Sequence, residues 1–280
     1  MPLIGGSRQD SARTEVTNAA KTLLANIRFM DVDNPVKTIV ITSSIPNEGK
    51  SFVAQNLSEA IATSGRTVLL IEEDLRRRTL ANQIGVHARN GIYGVLSGAV
   101  SLGEAVVPTQ IKNMYFLDAE PNIPNPSDLF NSRRYKSLLE HLRKSYDYVV
   151  IDTPPVTAFV DSAVLSSLVD ATFLVVRENF TRRDSIRAAY EQLNKAGGNV
   201  SGVIMNYCRH QRNEYYYSYY YEKTGKDGGS AAPVQVNPEA SSLTNPKAQP
   251  AMAQQQAQAV PQGQVQAQAP TPIFGRRQKR

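Results

Sequence analysis

Gly49-Lys50-Ser51 stands at the end of a β-branched run, Thr38 to Thr42, and opens a stretch with the apolar spacing of an amphipathic helix. Strand, tight loop, then helix is the context in which such a tripeptide binds phosphate. The first N–H groups of a helix lack intrahelical partners, and the helix dipole favours an anion there. Lys50 can then reach the terminal phosphates as a point charge, and the Ser51 hydroxyl can ligate Mg²⁺. Five residues before Gly49 the general pattern has Gly, and this chain has Ser44.

Acids follow two further apolar runs. Val68-Leu69-Leu70-Ile71 leads into Glu72-Glu73-Asp74, and Tyr148-Val149-Val150-Ile151 leads into Asp152. Mg²⁺ takes hard oxygen ligands and keeps several waters, so a few carboxylates, one hydroxyl and phosphate oxygens suffice to hold it. Arg76-Arg77-Arg78 follows the first acid group, where it either contacts phosphate, tethers the loop or is simply solvated. His87, His141 and His210 show no metal-ligand spacing. Further on, Tyr215, Tyr216, Tyr217, Tyr219, Tyr220 and Tyr221 crowd six of the 13 tyrosines into seven residues. That window follows the last core-like run, and a core does not need six phenols there. Phosphate acceptors are the chemistry it suits.

The elements that position these groups alternate. Apolar runs at Thr38–Thr42, Thr67–Ile71, Tyr115–Leu117, Tyr148–Asp152, Ala171–Val176 and Val200–Asn206 predict strands. Tyr135, Leu138, Leu139 and Leu142 recur at helical spacing, as do Ile186, Ala189, Tyr190 and Leu193. Thr181 with Asp184 three residues on predicts a capping box for the second of these helices. A helix over about residues 14–29 precedes the first strand and is the element placed to contact a neighbour. Strands interleaved with helices predict an α/β fold, a mostly parallel sheet covered on both faces, with ligands beyond the carboxyl ends of the strands. No internal repeat is present.

Composition divides the chain into an N-terminal segment 1–35, a nucleotide-binding domain 36–210, the tyrosine cluster 211–222 and a tail 223–280. The tail is Ala, Gln, Pro, Asn and Ser with few large aliphatics, so it is expected to be disordered. Most of the net charge of +6 comes from Lys247, Arg276, Arg277, Lys279 and Arg280 against Glu239. A basic end of that size suits weak contact with an anionic surface or a purely solubilising role. One cysteine, Cys208, excludes an internal disulfide framework. The first residues carry no apolar signal core, and no stretch approaches the roughly 20 apolar residues of a membrane span. A cytoplasmic protein is expected, with membrane contact only through a partner or the basic end.

Over residues 15–222 the combination resembles the bacterial tyrosine kinases of capsule and exopolysaccharide synthesis, P-loop proteins of the MinD/ParA-like superfamily. Thr42 to Ser51 is similar to that family's variant Walker A, Glu72-Glu73-Asp74-Leu75-Arg76 to its Walker A′, and Asp152-Thr153-Pro154-Pro155-Val156 to its Walker B. Pro124-Asn125-Pro126-Ser127-Asp128-Leu129 looks like its Asn-Pro-Ser-acid-Leu segment. The resemblance implies a P-loop NTPase-like sheet flanked by helices, using ATP and Mg²⁺. It implies nucleotide contacts from Ser44, Asn47, Glu48, Gly49, Lys50, Ser51 and Phe52, with Asn206 at the adenine. Mg²⁺ falls to Ser51, Glu72 and Asp152, and catalysis to Lys50, Asp74 and Asp152, Asp74 accepting or orienting the tyrosine proton. The acceptors are the six tyrosines, phosphorylated between subunits.

The implied partners are a membrane adaptor that activates the chain at the inner face of the cell membrane, further copies of the chain and a cognate tyrosine phosphatase, with no nucleic acid. The chain departs from the family pattern in three motifs. Its first Walker A′ Asp is Glu72, a loop Gly is Asn47, and its Glu-x-x-Arg-x-x-Arg oligomerisation helix aligns with Asn18, Lys21 and Leu24. Asn best tolerates a left-handed backbone among non-glycine residues, so Asn47 is expected to preserve the loop. Two other classes stay open: a ParA/MinD-type switch ATPase, which would carry a second lysine where this chain has Ile45, and a non-catalytic nucleotide-binding regulator of the same family.

Overall fold

A computed structural model of the chain describes residues 6–31, 33–120 and 126–208, with side chains from residue 10 onward. All of these belong to one unit, Met1–Arg212. The tyrosine window, the tail 223–280 and the residues Pro124 and Asn125 lie outside the described residues.

The first half runs α1 (Gly6–Met30), β1 (Thr38–Ser43), α2 (Lys50–Thr63), β2 (Val68–Glu72), α3 (Leu80–Ile84), α4 (Ile92–Ser97), α5 (Leu102–Ala105), β3 (Val106–Pro108) and β4 (Met114–Leu117). The second half runs α6 (Pro126–Asn131), α7 (Arg133–Ser145), β5 (Tyr148–Asp152), α8 (Asp161–Ser166), β6 (Ala171–Arg177), α9 (Arg183–Lys195) and β7 (Val200–Asn206). The strands form one sheet in the order β3-β4-β2-β5-β1-β6-β7. Every pairing is parallel except that of β3 with β4. The predicted α/β architecture is therefore present. Three-residue β3 and the helices of four to six residues are too short to show a period, although Ser101 and Glu104 form a capping box at the start of α5.

Central strands covered on both faces read as continuous apolar runs. All six residues of β1 and all five of β2 are buried. Side chains alternate along each strand, so two cores form. Ile39, Ile41, Leu70, Val150 and Phe173 face α1 and α2, where Leu24, Ile27, Leu57 and Ile61 meet them. Val40, Leu69, Ile71, Val149 and Ile151 face the other side with Leu96 of α4, Phe130 of α6 and Tyr135, Leu139 and Leu142 of α7. A third group places Ala189 and Leu193 of α9 over Leu174 and Val176.

Helix α1 starts earlier than predicted, at Gly6. Its Ala20, Leu24 and Ile27 recur one or two turns apart and are buried, tying the helix to the first core. Leu24, at the position of an oligomerisation arginine, is thus a core residue, while Asn18 and Lys21 remain exposed.

Leu70 sits mid-strand at 0% exposure, whereas Val203 on the edge strand β7 is 56% exposed. Leu70→Ala should lower the unfolding free energy in urea by about 2–5 kcal/mol, and Val203→Ala by less than about 1 kcal/mol. Equal losses at the two positions would contradict the sheet order.

Candidate active site

The loop from β1 to α2 turns through two left-handed residues, Asn47 at φ 67° and Gly49 at φ 88°. Asn47 accommodates the conformation as expected, and its side-chain oxygen accepts a hydrogen bond from Arg77 Nη1 at 2.9 Å. Gly49 has a second reason to be glycine: a Cβ there would lie 2.2 Å from Asn206 Nδ2 and 3.2 Å from the Tyr207 ring. Asn206 ends β7 and donates to the Glu48 carbonyl at 3.0 Å. The carboxyl end of β7 thus closes on the loop, with Asn206 beside it.

Ser44 and Glu48 are both buried, and their side chains turn on one another. The Glu48 carboxylate accepts from the Ser44 hydroxyl at 2.8 Å and the Ile45 N–H at 2.7 Å, and also from the Thr181 hydroxyl. Their side chains therefore shape the loop, and what they can offer a ligand is backbone. Thr181 is a correction to the sequence reading. The N-cap of α9 is Arg182, with no side-chain cap bond. Thr181 instead bonds Glu48 and accepts from the Arg177 N–H at 3.1 Å. The capping pattern was present, but a tertiary acceptor won the hydroxyl.

Strand alternation places the acids. Glu72 and Asp152 are register partners on adjacent strands and project toward α2. There the Lys50 ammonium lies 2.8 Å from Asp74 Oδ2 and 3.5 Å from Asp152 Oδ2. It also donates to Ser51 Oγ at 3.2 Å, and the Ser51 hydroxyl donates to Asp152 Oδ2 at 2.5 Å. The structure therefore brings Lys50, Ser51, Asp74 and Asp152 together at the first turn of α2. Burial works against the Lys50 charge, but Asp152 and Asp74 outweigh it and raise its pKa. Burial raises the Asp152 pKa, opposed by Lys50 and the Ser51 hydroxyl.

Asp152 Oδ1 is buried and makes no hydrogen bond among the described residues. An orphaned carboxylate oxygen beside a serine hydroxyl at a helix start suits a hydrated Mg²⁺ bound with phosphate. No group of three or more His, Cys, Asp or Glu among the described residues could hold a metal ion alone. A site completed by Ser51, phosphate oxygens and water accommodates that. The residues present thus fit Mg-ATP: loop N–H groups and Lys50 for the phosphates, Ser51 and Asp152 for the cation.

Glu72 is engaged on both oxygens. Oε2 accepts from the Thr79 and Leu80 N–H groups at 2.9 and 3.0 Å, and Oε1 accepts from Asp74 N at 3.3 Å. It pins the loop after β2, so any reach to a cation must share those bonds. Glu73, one residue on, points to the opposite face. Its fully buried carboxyl accepts from the Tyr135 hydroxyl of α7 at 3.1 Å, and burial holds its pKa well above the usual carboxylate range.

The arginine run is not simply solvated. Arg76 stacks 3.9 Å from the Phe159 ring centre and reaches Asp161 at 3.5 Å. Asp161 also accepts from the Ser127 hydroxyl at 2.6 Å. Arg77 holds Asn47, and Arg78 meets Asp118 at 2.6 Å. Asp161 and its Ser127 bond carried no sequence signal, since their partners lie on separate elements. Phe52 is 44% exposed on the first turn of α2. The Arg177 guanidinium lies 4.7 Å from the Phe180 ring centre and 4.4 Å from that of Tyr207.

Glu72 carries a testable titration. Burial first, then the Asp152 charge, raise its pKa from 4.5 to about 8, against the Leu80 and Thr79 N–H groups and Lys50. Between those values the folded chain keeps a proton that the unfolded chain has lost, so this group makes stability fall as pH rises. Glu72→Gln keeps the shape and cannot ionise. In metal-free buffer its Tm relative to wild type should rise from pH 5 to pH 8; a pH-independent difference would contradict a carboxyl buried in its protonated form.

Residues 36–182 match the model of the AAA domain family, more than half of the chain. The tyrosine-protein kinase YwqD of Bacillus subtilis strain 168 is 35% identical over 186 residues, covering 66% of this chain and 78% of that protein. The kinase domain of the Escherichia coli tyrosine kinase ETK aligns with a TM-score of 0.65 at 30% identity, covering 68% of this chain and 74% of that one. The septum site-determining protein MinD of Pyrococcus horikoshii OT3, complexed with Mg-ADP, aligns with a TM-score of 0.52 at 27% identity, over 64% and 72% of the two chains. With a P-loop at the end of β1 and acids at the ends of β2 and β5, this chain belongs to the bacterial tyrosine-protein kinases, a branch of the P-loop NTPases.

Proposed function

We propose that the chain is an ATP-dependent protein-tyrosine kinase that phosphorylates the Tyr215–Tyr221 window of neighbouring copies and so regulates capsular or exopolysaccharide biosynthesis and export. The observation that carries this reading is the Lys50 ammonium held by Asp74 and Asp152, with Ser51 bonded to Asp152, at the opening turn of α2. Family membership supports it, and the Mg-ADP complex of the MinD neighbour supports Mg-nucleotide as the ligand.

Bound Mg-ATP supplies the phosphoryl group and part of the charge neutralisation. Lys50 and the N–H groups at the start of α2 would hold the phosphates, and Ser51 and Asp152 the cation, with Glu72 beside them. When Lys50 turns to phosphate oxygens, Asp74 Oδ2 loses its ammonium partner, while Oδ1 stays fixed by the Arg77 N–H at 3.0 Å. Asp74 is then oriented and free to accept the tyrosine proton. A phenol has a pKa of about 10 and is largely unionised at neutral pH, so it benefits from such a base. In-line placement supplies most of the remaining rate. Each phosphate adds roughly −1.5 to −2 of charge to the window, which suits a cycle of association and release.

No helix among the described residues is long and apolar enough to cross a membrane. A membrane adaptor that recruits and activates the chain at the inner face of the cell membrane, and a phosphatase that resets the tyrosines, complete the proposal. A second reading, a nucleotide-binding regulator that does not transfer phosphate, is favoured by the engagement of both Glu72 oxygens with backbone. Glu72→Asp separates the two: a large rise in tail phosphorylation would show that the natural residue handicaps transfer.

With Mg-ATP and an adaptor's cytosolic segment, mass spectrometry of the 207–226 peptide should find phosphotyrosine in wild type and none in Lys50→Met. Persistent phosphotyrosine in the variant would overturn the proposal.

A further inference from the structure

Between α4 and α7 lies a groove of about 400 Å³ that no step above uses. Val95, Leu96 and Leu138 give it an apolar wall, and Arg133, Arg134 and Ser137 give it a polar one. Arg134 Nη1 donates to the Leu96 carbonyl at 3.0 Å, which fixes its guanidinium across the groove. No ion pair among the described residues takes up Arg133 or Arg134. Both arginines open the 13-residue α7, whose first N–H groups and dipole add positive potential.

The place matters as much as the lining. Tyr135, two residues into α7 from Arg133, hydrogen-bonds Glu73 at the carboxyl end of β2. The arginine end of the groove therefore opens at the same edge of the sheet as Lys50 and Asp152, on the opposite face.

An occupant must offer a flat apolar body and a compact anion a few ångströms apart. Phosphotyrosine does: its ring suits the aliphatic wall, and its phosphate suits paired guanidinium groups, which bind phosphate bidentately. Phosphoserine and inorganic phosphate lack the ring, and unmodified tyrosine lacks the anion. We propose that this groove binds a phosphotyrosine of the Tyr215–Tyr221 window from a second copy of the chain, with the ring against Val95, Leu96 and Leu138 and the phosphate on Arg133 and Arg134. The inference rests on the window being phosphorylated, as proposed above. A cationic groove on one copy and an anionic window on another make a head-to-tail contact, on the face of the sheet opposite the transfer site. The charge complementarity is created only by phosphorylation, so the contact is conditional on it.

The test uses synthetic, fluorophore-labelled peptides spanning residues 213–223, titrated with phosphatase-treated full-length chain without ATP. The peptide carrying phosphotyrosine at Tyr217 should bind at least about tenfold more tightly than the unmodified peptide and than one carrying phosphoserine at that position. Arg133→Glu, and independently Ser137→Glu at an exposed position, should weaken it by about tenfold or more. If Arg133→Glu proves unfolded by circular dichroism, Ser137→Glu decides. Equal binding of phosphotyrosine and phosphoserine peptides, no binding at all, or undiminished binding by the folded variants would overturn the proposal. Because the peptide is phosphorylated by synthesis, binding without tail phosphorylation by the chain would sink the kinase reading and leave the groove standing, and the converse result would do the reverse.

Discussion

An ammonium group in the company of buried carboxylates organises this molecule. Among the described residues Lys50 carries the one positive charge that Asp152 and Asp74 meet directly, 3.5 and 2.8 Å away, in a place where unpaired charge is costly. That arrangement needs a strand to deliver Asp152, a second to deliver Glu72 beside it, and a helix that begins at Lys50. It also needs the loop before the helix to turn tightly enough to bring Lys50 back over β5. The left-handed Asn47 and Gly49 supply the turn, and Glu48 locks it from inside through Ser44, Ile45 and Thr181.

Alternation along β2 then separates two functions that adjacent residues in the sequence would seem to share. Glu72 and Asp74 look toward α2 and the ion-paired lysine, while Glu73 looks toward α7, where burial beside Tyr135 raises its pKa. A one-residue slip would exchange them, breaking both sets of hydrogen bonds. The two faces at the same sheet edge thereby carry different chemistry. One handles the nucleotide, and the other offers the arginine-lined groove.

Much of this could be read from the residues, and the limits have physical causes. The run Thr38–Thr42 before Gly49-Lys50-Ser51 and the acid after Tyr148–Ile151 are local patterns, and local patterns fixed the central strands, α2 and the charged cluster. Thr181 was misread because a capping box and a tertiary hydrogen bond need the same residue type, and only the fold shows that Glu48 is within reach. Asp161 was invisible because Arg76 and Ser127 converge on it from two separate stretches. A strand as short as β3 owes its form to what it packs against rather than to a period of its own, whereas α5 is set by a local capping box of Ser101 and Glu104. Leu24 was legible as a departure from a helix motif, but only its burial against α2 explains it.

On the proposed function, the Lys50 cluster moves phosphate from ATP to the tyrosine window of another copy. The most direct measurement mixes two chains: one with Lys50→Met and all six window tyrosines, the other with an intact P-loop and those tyrosines replaced by phenylalanine. With Mg-ATP labelled on the γ-phosphate and an adaptor segment present, label should appear in the 207–226 peptide of the Lys50→Met chain, and only in the mixture. No label in the mixture, while wild type alone is labelled, would contradict transfer between copies; no label in either would contradict the site itself.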